Sequence, residues 1–206
     1  MRIELSAIIA DIAAAIKRID TRRPQAASSR TGALYQPGIG PHPETQAVSL
    51  IARELELVEA LRYGRRITVD VPYPKPSRQK CDLCIGSDDK REWAIEVKMF
   101  RLMGDNGKPN DNMIGHILSP YPKDRSALTD CAKLAGASLA ERKAIVIYGF
   151  DYPSLTMDLG IDAFERLATA TVNLGPRSVD AYNDLVHPIH AAGRVFGWEV
   201  QSPNPE

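Results

Sequence analysis

Between Lys80 and Met99 the chain alternates twice in a way that leaves few folding options. Cys81, Leu83 and Ile85 fall on one side of an extended segment, with Lys80, Asp82 and Cys84 on the other. After the run Gly86-Ser-Asp-Asp-Lys-Arg91, which has turn chemistry, Trp93, Ile95, Val97 and Met99 alternate with Ala94, Glu96, Lys98 and Phe100. The pattern predicts two strands joined by a polar turn. Strand side chains repeat every second residue, so Glu96 and Lys98 share a face, and hairpin pairing brings Asp82 to the same side. Two carboxylates and a lysine beside a buried strand mark where chemistry is expected.

The flanking segments supply the rest of a fold. Residues 4–19 place Leu5, Ile8, Ile9, Ile12, Ile16 and Ile19 at helical spacing, a helix suited to packing or a dimer contact. Residues 21–43 are rich in Pro, Gly and Ser and read as a linker or ordered surface loop, with Arg22, Arg23 and Arg30 on a solvated arm. A second helix is predicted from Pro43 to about Tyr63-Gly64, with Val48, Ile51, Leu55, Val58 and Leu61 as its apolar stripe. Glu44 extends that stripe toward the N-terminus and is expected to face inward, although a first-turn acid also suits the helix dipole. Glu54, Glu56 and Glu59 are expected in solvent.

Arg66-Ile-Thr-Val-Asp-Val71 is β-branched enough to be a strand, closed by Pro72-Tyr-Pro-Lys-Pro76. After Phe100 a polar stretch from Arg101 to about Pro122, which includes Asp111 and His116, reads as a long loop, either substrate-contacting or mobile. A third helix is expected to start at Asp124 as N-cap and to bury Ala127, Leu128, Cys131, Leu134, Ala135 and Leu139. Lys123 and Arg125 stand at its anion-favouring end, and Lys133 is expected in solvent. Ala144–Phe150 is a continuous apolar strand of the kind buried on both faces. Residues 160–172 predict a helix with Ile161, Phe164, Leu167 and Ala168 inward, 181–192 a partly helical segment, 194–201 a closing strand and 202–206 a frayed tail.

At 206 residues the chain is long enough for one full core, and 26 basic residues balance 26 acidic ones. A nucleic-acid-binding surface would therefore be a local patch or come from a partner. Three cysteines without a framework point to a reducing, cytoplasmic setting. No run approaches the roughly 18 apolar residues of a membrane span, so no membrane partner is expected.

The order helix, strand, strand, strand, helix, strand, with Asp82 opening the second strand and Glu96-Val97-Lys98 in the third, resembles the PD-(D/E)xK phosphodiesterase superfamily, the restriction endonuclease-like fold. The resemblance covers roughly residues 43–150. It implies an α/β fold, a mixed sheet flanked by helices, with residues 1–42 as N-terminal helix and linker and 43–206 as the nuclease domain of one compact unit. It further implies Asp82 and Glu96 as Mg²⁺ ligands, Lys98 as the group that positions or activates the attacking water, and Glu44 as an assisting acid. The Val97 carbonyl is a third candidate ligand. Cys81 stands where the family pattern has proline. Magnesium takes oxygen ligands and keeps several waters, so two carboxylates plus a substrate phosphate suit it, with Mn²⁺ as a substitute.

The expected activity is hydrolysis of DNA phosphodiesters by a magnesium-activated water, with RNA as a further substrate class. A homodimer or a partner protein would supply target choice. The alternative is a non-catalytic nucleic-acid-binding or assembly subunit of the same fold in a defence or repair complex. Cys81-Asp-Leu-Cys84 lacks a second ligand pair for zinc, and residues three apart in a strand point to opposite faces. His187-Pro-Ile-His190 reads as a helix-end cluster.

Overall fold

In the computed structural model, which describes residues 2–75, 77–110 and 112–202, the predicted alternations become one mixed sheet covered by helices on both faces. The chain runs α1 (Leu5–Thr21), α2 (Glu44–Val58), α3 (Ala60–Tyr63), β1 (Ile67–Pro72), β2 (Lys80–Ser87), β3 (Lys90–Phe100), α4 (Met113–Leu118), α5 (Ala127–Gly136), β4 (Arg142–Phe150), α6 (Asp158–Ala168), β5 (Asn173–Leu174), β6 (Ser178–Tyr182) and β7 (Gly193–Gln201). The sheet order is β1-β2-β3-β4-β7, with β5 and β6 both on the far side of β7. Only β3 and β4 are parallel, joined through α5; the other pairs are antiparallel. Pro76 of the proline segment, Asp111 of the polar stretch and residues 203–206 of the tail lie outside the described residues.

Strand period two decides which helix meets which side chain. Trp93 faces the N-terminal segment, where its indole N–H donates to the Ile3 carbonyl. Gly197, on the same side of β7, leaves room for Ile9 of α1; a Cβ there would collide with that side chain. The opposite parity, with Glu96, Lys98 and Trp198, faces α5 and α6, and the Trp198 indole N–H donates to Glu165. Ile8, Ile9 and Ile16 of α1 are fully buried, each contributing about 1.5–3 kcal/mol. The N-terminal helix is therefore part of the core.

Several expectations are corrected. The apolar stripe of α2 ends at Leu55. The helix breaks at Glu59 (φ −103°, ψ 42°) and restarts as α3, whose Tyr63 turns inward to donate to Asp11 Oδ2 at 2.7 Å. That turn leaves Val58 and Leu61 exposed. Glu54 is buried rather than solvated, because Arg18 of α1 and Arg22 just after that helix reach its carboxylate at 3.0 and 2.6 Å. Within 101–122 the chain forms α4, which buries Met113 and Ile117. The third predicted helix starts two residues later, capped by Ser126, whose Oγ accepts the Thr129 N–H at 3.2 Å; Arg125 in the left-handed region (φ 48°) separates it from Asp124. Leu167 of α6 is exposed. Residues 181–192 hold no helix, since the segment before them is taken as strand β6 by the free edge of β7.

Glu54 gives the first prediction. Glu54→Gln removes the charged acceptor of two arginines and is expected to cost about 2 kcal/mol in urea unfolding. A loss below about 0.5 kcal/mol, the range of ordinary surface changes, would return Glu54 to the surface class.

Candidate active site

β2 and β3 pair at Leu83↔Ile95, Cys84↔Ala94 and Ile85↔Trp93, and part company beyond Leu83. β1 stays with β2 as far as Pro72↔Lys80, and β4 stays with β3 as far as Phe100. A wedge therefore opens inside the sheet. On its β3 side the N–H and C=O groups of Ile95, Val97 and Met99 point into the gap, by the pleat of a strand. Buried backbone groups need partners, and side chains supply them. The Val97 N–H donates to Asp82 Oδ2 at 2.8 Å and the Met99 N–H to Glu44 Oε2 at 2.6 Å. The Cys81 thiol donates to the Ile95 carbonyl at 3.4 Å. Asp82 and Glu44, from two different elements, thus sit on one strand edge, and the Val97 carbonyl shares it. Asp70, in β1 across from Asp82, has a left-handed backbone (φ 55°), a conformation Asp tolerates better than most residues.

Glu96 and Lys98 project from the same strand toward α5. Lys98 Nζ lies 2.8 Å from Asp130 Oδ2 and 3.6 Å from Glu44 Oε1. Lys133 Nζ lies 2.6 Å from Asp130 Oδ1 and 2.7 Å from Glu96 Oε1, and the Tyr73 hydroxyl donates to that same Glu96 oxygen at 2.7 Å. Lys133 also sits 4.9 Å from the centre of the Tyr73 ring, a cation–π contact. The structure thus brings Glu44, Asp82, Glu96 and Lys98 around one cleft of about 450 Å³, which Arg78, Lys80, Arg125 and His116 also line.

Burial raises the carboxyl pKa values of Glu44 and Glu96. For Glu44 the Lys98 ammonium and the Met99 N–H pull the other way without cancelling it. For Glu96 the nearby Asp130 and Asp82 charges add to burial and outweigh Lys133, which holds Glu96 well above the ordinary carboxylate range. Burial opposes charge on Lys98, but Glu44 and Asp130 more than compensate, so its pKa is raised. Lys133 is raised for the same reason, through Glu96 and Asp130.

Asp130, Lys133 and Tyr73 were not among the candidates from sequence. Lys133, expected in solvent, is instead held between two acids. A signal for Asp130 existed: three residues after Ala127 and four before Leu134, it lies on the inward stripe of α5, where an acid needs a cationic partner. Tyr73 carried no such signal, because its position depends on how the proline segment folds back over β3.

The donor set fits a hard divalent cation. Among the described residues Asp82 Oδ1 and Glu96 Oε2 make no hydrogen bond, since both acids use their other oxygen. Carboxylate oxygens are what magnesium and manganese take. Glu44 and Asp130 are the neighbouring acids, and the Val97 carbonyl lies on the edge between Asp82 and Glu44.

No three of the acids Glu44, Asp82, Glu96 and Asp130 bring ligand atoms within 4.8 Å of one another; among the described residues that is done by a different trio, Asp105, His187 and His190. Its geometry suits a clamp better than a metal. The two imidazoles are stacked, 4.6 Å apart and 19° from parallel, so their in-plane lone pairs run side by side instead of converging. His187 Nδ1 accepts the Ile189 and His190 N–H groups at 3.2 and 3.3 Å. His190 bridges Asp105 and the Tyr152 hydroxyl at 2.9 and 3.1 Å. Arg101 then links Asp105 to the Gly40 carbonyl at 3.2 and 2.6 Å, joining the loop after β3 to the turn before Glu44. This pair, expected at a helix end, instead lies in irregular chain.

Compared with known proteins, the chain matches no family model, no curated protein and no solved structure.

The buried network makes a stability prediction. Lys98→Met leaves Glu44 and Asp130 without the cation between them and is expected to cost about 3 kcal/mol. Asp130→Asn leaves Lys98 with Glu44 and Lys133 with Glu96 and is expected to cost about 1 kcal/mol. Combined, they are expected to cost at least about 1 kcal/mol less than the sum of the two, because Asp130→Asn removes one of the acids that Lys98→Met leaves without that cation. Additive losses in chemical denaturation would mean the two side chains are not coupled.

Proposed function

We propose that this protein is a metal-dependent nuclease that hydrolyses phosphodiester bonds of DNA, with RNA as a second candidate substrate. The observation that carries the reading is the wedge between β2 and β3, with Asp82 and Glu96 each presenting an unused oxygen beside Lys98. Asp82 and Glu96 are the residues that would hold magnesium or manganese, with the Val97 carbonyl beside them. Such an ion, when bound, neutralises charge on phosphoryl oxygens and acidifies water.

The chain's own groups have distinct tasks. Arg78, Lys80 and Arg125 line the cleft and would bind the substrate phosphates. Lys98 keeps its proton through neutral pH because its pKa is raised. It therefore serves as a fixed cation and hydrogen-bond donor toward developing phosphoryl charge or the attacking water, and not as a general base. Glu44 and Asp130 position that ammonium from two sides. Lys133 holds Glu96 Oε1 at 2.7 Å. Target choice is assigned to a second copy of the chain or a partner protein. Lys133 also favours a second reading, a non-catalytic nucleic-acid-binding subunit, because an ammonium already satisfies one of the acids a metal would need.

Incubation with supercoiled plasmid, single-stranded DNA and RNA, in Mg²⁺, in Mn²⁺ and in chelator, separates the two. Metal-dependent cleavage is expected, lowered about 100-fold or more by Asp82→Asn and by Lys98→Met, and about 10-fold by Glu44→Gln. Cleavage by Asp82→Asn at the unmodified rate would falsify the assignment. Tight nucleic-acid binding without cleavage in either metal would favour the subunit reading.

A pH dependence follows from the raised Glu44 and Glu96 pKa values. Their protonated forms are favoured as pH falls, and a metal needs them ionised, so Mn²⁺ affinity is expected to rise with pH above neutrality and to fall below it. Calorimetric Mn²⁺ titrations in two buffers of different ionisation enthalpy are expected to show proton release. Equal heats in both would remove the shifted acids from the metal site.

A further inference from the structure

Three depressions run into one another across the face that carries the carboxylates. The central cleft shares Thr45, Asp70 and Asp82 with a groove of about 460 Å³ along α2. On its other side it shares Gln79, Arg125, Asp130 and Lys133 with a cavity of about 560 Å³ between α5 and α6. The two flanks differ in chemistry. The α2 groove offers Gln46, Ser49 and Arg53, which are hydrogen-bonding groups and a cation suited to a sugar–phosphate backbone. The α5–α6 cavity is walled by Pro120, Pro122, Leu128 and Leu167, with the Gln79 amide and the Thr129 hydroxyl as polar points. Leu167 is the residue whose helical spacing called for burial and which instead stands 48% exposed, on the wall of this cavity.

We propose that this cavity receives an unpaired nucleobase of the nucleotide next to the phosphate held in the cleft. The substrates of the site would then be nucleic acids with single-stranded character at the cut. The inference rests on the nuclease reading above and adds the substrate class to it. A base has flat apolar faces and a polar edge. Apolar walls cover the faces, while the Gln79 amide offers donors and an acceptor to the edge and the Thr129 hydroxyl, whose proton goes to the Ser126 carbonyl, offers an acceptor. The volume lies in the range of small-molecule pockets, which are apolar with a few placed polar groups. Arg125 stands where the cavity meets the cleft, beside the Asp130–Lys133 pair, so the phosphate of the same nucleotide would meet its guanidinium as the base enters. That junction favours a nucleotide over an apolar peptide side chain, which brings no anion. A base held in a duplex stack cannot reach the cavity without being flipped out. The walls are aliphatic and carry few polar groups, so recognition would tolerate different bases.

The test uses the full chain in Ca²⁺, which occupies oxygen sites, and fluorescein-labelled oligonucleotides read by anisotropy. The probes are a single strand, its duplex, and a duplex with one bulged nucleotide, which fixes the register, carrying that nucleotide either intact or abasic. The intact strand is expected to bind more tightly than the duplex. The abasic bulge is expected to bind about 10-fold more weakly than the intact one, within the range for loss of one base contact. Ala132→Trp and, separately, Ala170→Trp fill the cavity from exposed positions outside the carboxylate cluster. Each is expected to abolish that abasic effect while leaving Mn²⁺ binding unchanged. Equal affinity for the intact and the abasic bulge, or an abasic effect that survives in both variants, overturns the inference. If cleavage of nucleic acid persists under either of those results, the nuclease reading stands without it. If no oligonucleotide binds and none is cut, both readings fall together.

Discussion

Because β2 joins the β3 ladder only at Leu83, the 95–99 edge of β3 has backbone groups inside the protein with no strand to meet them. An unpaired buried N–H costs about as much as a lost hydrogen bond, so the fold is stable only if something else reaches that edge. Here the something else is acidic: Asp82 on the Val97 N–H and Glu44 on the Met99 N–H. The same contacts that repair the sheet therefore assemble the carboxylates. Site and scaffold share one constraint, which accounts for Glu44 lying at the first turn of α2, where the helix meets the open end of the wedge.

Concentrating acids this way has an electrostatic cost. Glu44, Asp82, Glu96 and Asp130 crowd a region from which water is largely excluded, and burial raises the first and third of the carboxyl pKa values. Lys98 and Lys133 offset part of this by lying between the acids. When all four acids are ionised they outnumber the two ammoniums, and a bound cation would offset the excess. The arrangement also fixes Lys98 in its charged form, which limits the roles it can take. Away from this region the charges form ordinary structural pairs, such as Glu54 with Arg18 and Arg22.

Much of the fold was legible before any coordinates. The alternation from Lys80 to Met99, the apolar run ending at Phe150 and the periodicity of α1 and α5 each correspond to an element, and the helices lie on both faces of a mixed sheet. The misses share a cause. Val58, Leu61 and Leu167 were placed inward by spacing, but a helix break at Glu59 and a cavity beside α6 turned them out. Residues 181–192 lost their helical reading because β7 offered a free edge to the chain just before them. In each case the deciding contact comes from a distant part of the chain.

For the site, the sequence by itself determined which side chains share a strand face: Glu96 with Lys98, since period two admits no other answer, and Asp82 on the neighbouring strand. It also determined that Glu44 would stand at the head of a helix. Only the tertiary structure decided that the strands part at Leu83, that Asp130, Lys133 and Tyr73 close over the same acids, and that an apolar cavity opens beside them. The physical reason is range. Side-chain facing follows from local backbone geometry. Ion pairing and cavity shape depend on how α5 and the proline segment pack onto β3 from positions well separated along the chain.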